Sequence, residues 1–176
     1  YGLVTLHRPS NVDDPEVLSP LLEALGDVAG RIPLVFPAHP RTRPLLESLG
    51  TPPGITVIPP AGYLDFVALE AAAALVLTDS GGVQEETTVL GVPCLTMREN
   101  TERPITIEQG SNRLVGTDRE EIVSAASEVL DTGRRTYPCP DLWDGGASRR
   151  ISEVLGEYVG AAHPRPTEIA AQGATR

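Results

Sequence analysis

The chain has 176 residues, 40% hydrophobic and 4% aromatic, which suits one α/β domain or half of a two-domain enzyme, with a core of Leu, Val, Ile and Ala. A formal net charge of −10 sets its surface against nucleic acid and anionic membrane, while a local arginine pocket for a small anion stays open. Lysine is absent, which excludes a lysine Schiff base and the lysine of a nucleotide-hydrolase phosphate loop.

Gly2 to Leu6 reads as the first strand, ending in the polar loop His7-Arg8-Pro9-Ser10-Asn11. Asp14 and Pro15 then signal a helix start. Val17, Leu18, Leu21, Leu22 and Leu25 give that helix its apolar stripe, and Pro20 within it is expected to bend or delay it. Ile32 to Phe36 is a second strand, stopped by Pro37-Ala38-His39-Pro40, and Thr42 to Leu49 a short helix. Ile55 to Ile58 is the third strand, and Tyr63 to Leu69 fits a helix anchored by Phe66 and Leu69. Ala74 to Thr78 is the fourth strand, and Val83 to Leu90 a helix closed by Gly91. Val92 to Met97 is the fifth strand, Ile105 to Gln109 a short helix, and Leu114-Val115 a brief sixth strand. Asp118 caps a helix through Leu130, and Ala147 to Tyr158 is the last helix. Residues 1–160 read as one domain and 161–176 as a loose tail.

This alternation implies an α/β fold, a doubly wound parallel sheet. The common strand order 3-2-1-4-5-6 makes strands one and four neighbours at the crossover, where such folds bind ligands. It brings His7 and Arg8 to Thr78-Asp79-Ser80-Gly81-Gly82-Val83-Gln84-Glu85-Glu86, with His39 and the loop Arg98 to Arg103 on the same edge.

That nine-residue stretch reads as strand end, tight glycine turn and helix start. Free N–H groups there suit phosphate, and Gly81 and Gly82 let a ligand come close. The plainer alternative is an ordinary turn with Ser80 as helix cap. Glu86 is the stronger acidic choice for ligand hydroxyls; Glu85 either faces solvent or pairs with an arginine. Asp79 is either an acid/base or a residue that caps the turn. His7 and Arg8 bind a diphosphate or shuttle a proton, or else form a polar loop. His39 carries the same two readings, Arg103 closes over an anion or is solvated, and Phe66 stacks on a planar base or is core. His163, in the tail, is expected to be inert. No HxH, HExxH or clustered carboxylates suggest a metal, and no dinucleotide fingerprint suggests a redox cofactor. Binding groups outnumber acid–base groups, as expected of a domain that holds a nucleotide and leaves catalysis to a partner domain.

Cys94 and Cys139 form neither a CxxC pair nor a disulfide framework. With no signal-like leader and no membrane-length apolar stretch, a cytoplasmic location is expected. The opening Tyr1-Gly2-Leu3-Val4-Thr5-Leu6 already looks like a buried strand, the mark of a fragment of something longer.

Together these pieces resemble the non-hydrolysing UDP-N-acetylglucosamine 2-epimerase family. The resemblance rests on Thr5 to Asn11, His39-Pro40, Tyr63 to Phe66, Thr78 to Glu86, Gly91-Val92-Pro93, Arg98, Thr101-Glu102-Arg103-Pro104, Gly116-Thr117, Asp144-Gly145 and Ala147-Ser148, in family order. It implies two Rossmann-like halves in a glycosyltransferase-B architecture, of which this chain is the carboxy-terminal one. The last helix would cross toward the missing amino-terminal half. It also implies interconversion of UDP-GlcNAc and UDP-ManNAc by elimination and re-addition of UDP, without a cofactor, in an enzyme that is usually a homodimer. By position, Ser80, Gly81 and Gly82 would hold the phosphates, Glu86 the ribose hydroxyls and Phe66 the uracil. His7, Arg8, His39 and Arg103 would lie toward the diphosphate, with His7 assisting departure of UDP. The principal catalytic carboxylates would belong to the other half, so the chain alone is expected to be inactive. Ser10 stands where many members have Glu, and Pro140-Asp141-Leu142-Trp143 departs from the usual Asn-Pro-Tyr-Gly. A hydrolysing epimerase, a glycosyltransferase half and a non-catalytic UDP-sugar-binding module are the competing readings.

Overall fold

Six short strands pair in parallel in the order β3-β2-β1-β4-β5-β6. They are β1 (Gly2–Thr5), β2 (Leu34–Pro37), β3 (Ile55–Ile58), β4 (Leu75–Thr78), β5 (Cys94–Thr96) and β6 (Asn112–Leu114). The helices are α1 (Pro9–Val12), α2 (Pro15–Ala29), α3 (Arg43–Leu49), α4 (Tyr63–Ala72), α5 (Gly81–Leu90), α6 (Ile105–Glu108), α7 (Arg119–Thr132) and α8 (Ala147–Ala162). This computed structural model describes residues 1–133 and 135–162. The chain divides into two compact units, Tyr1–Pro140 and a second beginning at Asp141.

Strand side chains alternate between two cores, as a parallel sheet covered on both faces requires. Val4, Leu6, Leu75 and Leu77 join Leu18, Leu21, Leu25 and Ile122, so this core lies under α2 and α7. Leu3 and Val76 join Val83, Phe66 and Leu69, under α4 and α5. Burying each of the α2 leucines contributes about 2 kcal/mol.

The expected strand order and alternation are observed, with differences at element ends. The β1-to-α2 connection is not all loop: Pro9 starts the one-turn helix α1. Pro20 does not delay α2, which starts at Pro15 and runs unbroken to Ala29 with the Asp14 carboxylate accepting from Glu16 N–H. Pro20 and Glu16 are both exposed, so water can serve the Glu16 carbonyl that Pro20 leaves without a donor. α4 continues three residues beyond Leu69, and α5 starts at Gly81, so both glycines lie in its first turn. Strand six is Asn112–Leu114, held in register by Cys94 opposite Asn112. The last helix reaches Ala162 and takes in the first two residues of the expected tail; His163 and the rest of that tail lie outside the described residues.

Candidate functional site

The carboxyl ends of β1, β2, β4 and β5 share one edge, and its centre is pinned by Asp79. The parallel register of β1 and β4 runs from Gly2 opposite Leu75 to Thr5 opposite Thr78. The next residues of both strands therefore emerge side by side. Asp79 is fully buried and accepts from His7 N–H at 3.1 Å, Arg8 N–H at 2.9 Å and Asn11 Nδ2 at 3.3 Å. Asn11 also donates to the Met97 carbonyl at 3.0 Å, tying in β5. Asp79 thus clamps the distant β1 turn rather than capping its own.

Asp79 also orients His7, whose Nδ1 lies 3.0 Å from Asp79 Oδ1. Assigned from that contact, a neutral His7 carries its proton on Nδ1 and keeps a lone pair on Nε2. The His39 ring stands 6.1 Å from that of His7, centroid to centroid. His39 Nδ1 accepts from Arg41 N–H at 3.1 Å. Both histidines, with Thr5, Pro60, Ala61, Phe66, Ser80 and Val83, line a recess of about 280 Å³. Phe66 lines this wall and packs against the α4–α5 core, as its core reading expects.

The recess meets the start of α5. Asp14 and Asp118 cap α2 and α7 through their side chains, but Ser80, in the cap position of α5, makes no such bond. The Ser80 hydroxyl is therefore not the helix cap that the plainer reading expects. The first-turn N–H groups of α5 keep their positive potential for an outside acceptor. Gly81 and Gly82 are not required by packing. A Cβ at Gly81 would meet nothing closer than Glu102 Oε2 at 3.9 Å, and one at Gly82 nothing closer than Ser80 Oγ at 4.0 Å. Glycine costs helix stability, so its presence twice here points to something outside the chain that approaches the backbone.

Arginines surround this edge, most of them paired. Glu102 accepts from Arg98 at 2.8 and 3.1 Å and from Arg8 at 3.1 Å. Arg98, and secondarily its own backbone and Arg8, hold Glu102 down to about 2. Arg103 Nε lies 2.8 Å from Glu85 Oε1 but its N–H is not aimed at that oxygen, so the contact is ionic without being a hydrogen bond. Glu85 therefore takes the arginine-pairing alternative. Ser10 Oγ donates to Asn11 Oδ1 at 3.4 Å. Glu86, half-buried one residue along α5, has its pKa raised by burial, with hydrogen bonding to Tyr63 and Glu70 opposing the rise.

A family profile described as UDP-N-acetylglucosamine 2-epimerase matches residues 1–156. The chain belongs to the UDP-N-acetylglucosamine 2-epimerase family. It is 41% identical over 168 residues to the UDP-N-acetylglucosamine 2-epimerase of Methanocaldococcus jannaschii, covering 90% of this chain and 45% of that one. It is 45% identical over 159 residues to the UDP-2,3-diacetamido-2,3-dideoxy-D-glucuronate 2-epimerase of Pseudomonas aeruginosa, covering 89% and 44%. The crystal structure of the M. jannaschii enzyme in complex with UDP-GlcNAc and UDP matches with a TM-score of 0.80 at 40% identity, over 89% of this chain and 45% of that one. This epimerase-family chain thus spans less than half the length of these relatives.

The fold brings His7, Arg8, His39, Phe66, Ser80, Gly81 and Arg103 of this family member to one edge, with Glu86 a little over one turn into α5. Three groups there escape sequence reasoning. Asn11 reads as part of a polar loop, yet it is 3% exposed and bridges β1 to β5. Gln84 and Asn112 are buried and bonded to one another at 3.2 Å across 28 residues. Glu70, just past the helix expected over Tyr63 to Leu69, is fully buried. Each depends on long-range packing; the only local hint for Glu70 is its place in the apolar run Val67 to Leu77.

Proposed function

We propose that this chain is the nucleotide-holding, carboxy-terminal half of a two-lobed, non-hydrolysing UDP-N-acetylglucosamine 2-epimerase. The observation that carries this reading is the α5 helix start, uncapped by Ser80 and opened by two packing-free glycines, beside a recess lined by His7, His39 and Phe66. In this reading the N–H groups of Gly81 and Gly82 and the Ser80 hydroxyl hold the diphosphate. Phe66 contacts uracil and Glu86 accepts the ribose hydroxyls. Arg8, His39 and Arg103 complete the anion side.

When the bond from the sugar's anomeric carbon to UDP breaks, negative charge grows on the departing phosphate oxygen. The α5 start and His7 stabilise that charge, and the Asp79 carboxylate, 3.0 Å from Nδ1, holds the His7 ring in place. Removal and return of the proton at C2 need an acid–base pair that the other half supplies. The two relatives' names share UDP and differ in the sugar. This half accordingly reads UDP, with UDP-GlcNAc and UDP-ManNAc as the interconverted pair.

The missing half is the expected partner of α8. Ile151, Val154, Leu155 and Tyr158 form a stripe at helical spacing, each more than half exposed. A homodimer in the cytoplasm is the expected form of the whole enzyme. Among the described residues no helix is long and apolar enough to cross a membrane.

Titration of the isotope-labelled chain with UDP is the test. Shifts centred on Ser80 to Glu86 and His7 are expected, with free UDP-GlcNAc left unconverted until the other half is added. Binding mapped to another face, or turnover by the chain alone, would sink this assignment. Free UDP accumulating in step with turnover of the reunited halves would mean a hydrolysing enzyme instead.

A further inference from the structure

Glu70 on α4 is 0% exposed, and neither of its carboxyl oxygens has a donor among the described residues. Ionised, it would be both desolvated and unpaired. What faces it is another acid, Glu86 of α5. Two adjacent carboxylates cannot both ionise freely, and burial decides which keeps the proton. Burial first, and then the charge of Glu86 and the bond between them, push Glu70 up to about 8. Burial raises Glu86 as well, and the same bond opposes that rise, as it should for the accepting carboxylate.

The surrounding groups leave this division intact. From β5, Cys94 neighbours Glu70, and burial pushes its thiol up to about 12, so it stays neutral. Tyr63 of α4 hydrogen-bonds to Glu86 and favours its charged form, while Glu85 repels it. Glu85 is itself engaged by Arg103 at 2.8 Å. Among the described residues no arginine pairs with Glu70.

We propose that Glu70 is a positioning residue for nucleotide binding: as the neutral acid it donates a hydrogen bond to Glu86, keeping Glu86 ionised and aimed at the ribose hydroxyls. This rests on the UDP reading above. One proton is shared by two helices, α4 bearing Phe66 and α5 bearing the phosphate turn. Its loss places two anions against each other and drives Glu86 off the ribose.

Two measurements on the chain test this, one without nucleotide. Carboxyl-carbon NMR of the free chain should show Glu70 titrating near 8, with the Glu86 signal shifting again as it does so. Titration of Glu70 in the ordinary carboxylate range overturns the proposal whatever UDP does. UDP affinity should then fall about tenfold between about pH 7 and about pH 9, the fraction of chain that loses the proton. Glu70→Gln keeps a donor and cannot titrate, so it should bind UDP well and without that fall. Glu70→Leu should bind weakly at every pH. A Glu70→Gln chain that loses affinity with pH as the unaltered chain does would sink the positioning role, even if Glu70→Leu does not fold. If instead Glu86→Gln leaves UDP affinity unchanged, the ribose contact itself fails, and the NMR titration still reports the pair.

Discussion

At the scale of single residues, one buried carboxylate organises the edge of the candidate site. Asp79 receives the His7 and Arg8 N–H groups and the Asn11 amide, and orients the His7 ring. Replacing it leaves those donors unsatisfied, so Asp79→Ala should cost about 2–4 kcal/mol in urea unfolding. Gly81 and Gly82 should behave in the opposite way. Alanine at either fits the space, so the helix should gain about 0.5–1 kcal/mol. UDP affinity should nevertheless fall at least about tenfold for each, by calorimetry, because a methyl group stands where phosphate approaches, about 1.4 kcal/mol. Loss of stability with no change in UDP binding would contradict the reading of these glycines. Glu70 adds a pH dependence of folding. Its folded pKa of about 8 lies above the ordinary glutamate value of 4.5, so the folded chain binds the extra proton between them. That stability is complete below the unfolded value and is lost as pH rises through about 8. Thermal unfolding of Glu70→Gln should flatten over this window.

At the scale of elements, a buried polar network fastens α5 to the far edge of the sheet. Asn112 in β6 accepts from Thr96 at 2.6 Å and donates to Gln84 at 3.2 Å and Thr106 at 3.0 Å. Gln84 also accepts from Thr101, in the loop that carries Arg103. One asparagine thereby couples α5, β5, α6 and the loop that carries Arg103. Asn112→Ala should cost about 1–3 kcal/mol, measured by thermal unfolding, since several buried groups lose partners at once. Helix starts were readable where a side chain acts locally, as with Asp14 and Asp118. The continuity of α2 through Pro20 was not, because solvent around Glu16 and the buried leucine stripe outweigh one missing bond.

At the scale of the molecule, α8 presents an apolar stripe to solvent while the sheet's two cores are already filled. Arg150 bonds Asp144 at 2.9 Å and the Leu142 carbonyl at 2.8 Å, fixing the turn that launches the helix. On the proposed function, adding the other half in trans should yield epimerisation. Val154→Asp with Leu155→Asp should abolish that rescue and leave the melting of the sheet unit unchanged. Rescue that survives both substitutions would assign the partner surface elsewhere.

The sequence by itself determined the family, the α/β class, the strand order and which candidate residues gather on one sheet edge. Those are properties of period, punctuation and short motifs, each read within a few neighbouring residues. Only the tertiary structure decided what several side chains do there. Asp79 is a clamp, the Ser80 hydroxyl leaves α5 uncapped, and Glu85 is taken by Arg103. Glu70, which the sequence reading does not single out, is a buried acid beside Glu86. Burial and opposite-element neighbours set a carboxyl group's protonation, and neither is written in the residues beside it in the chain.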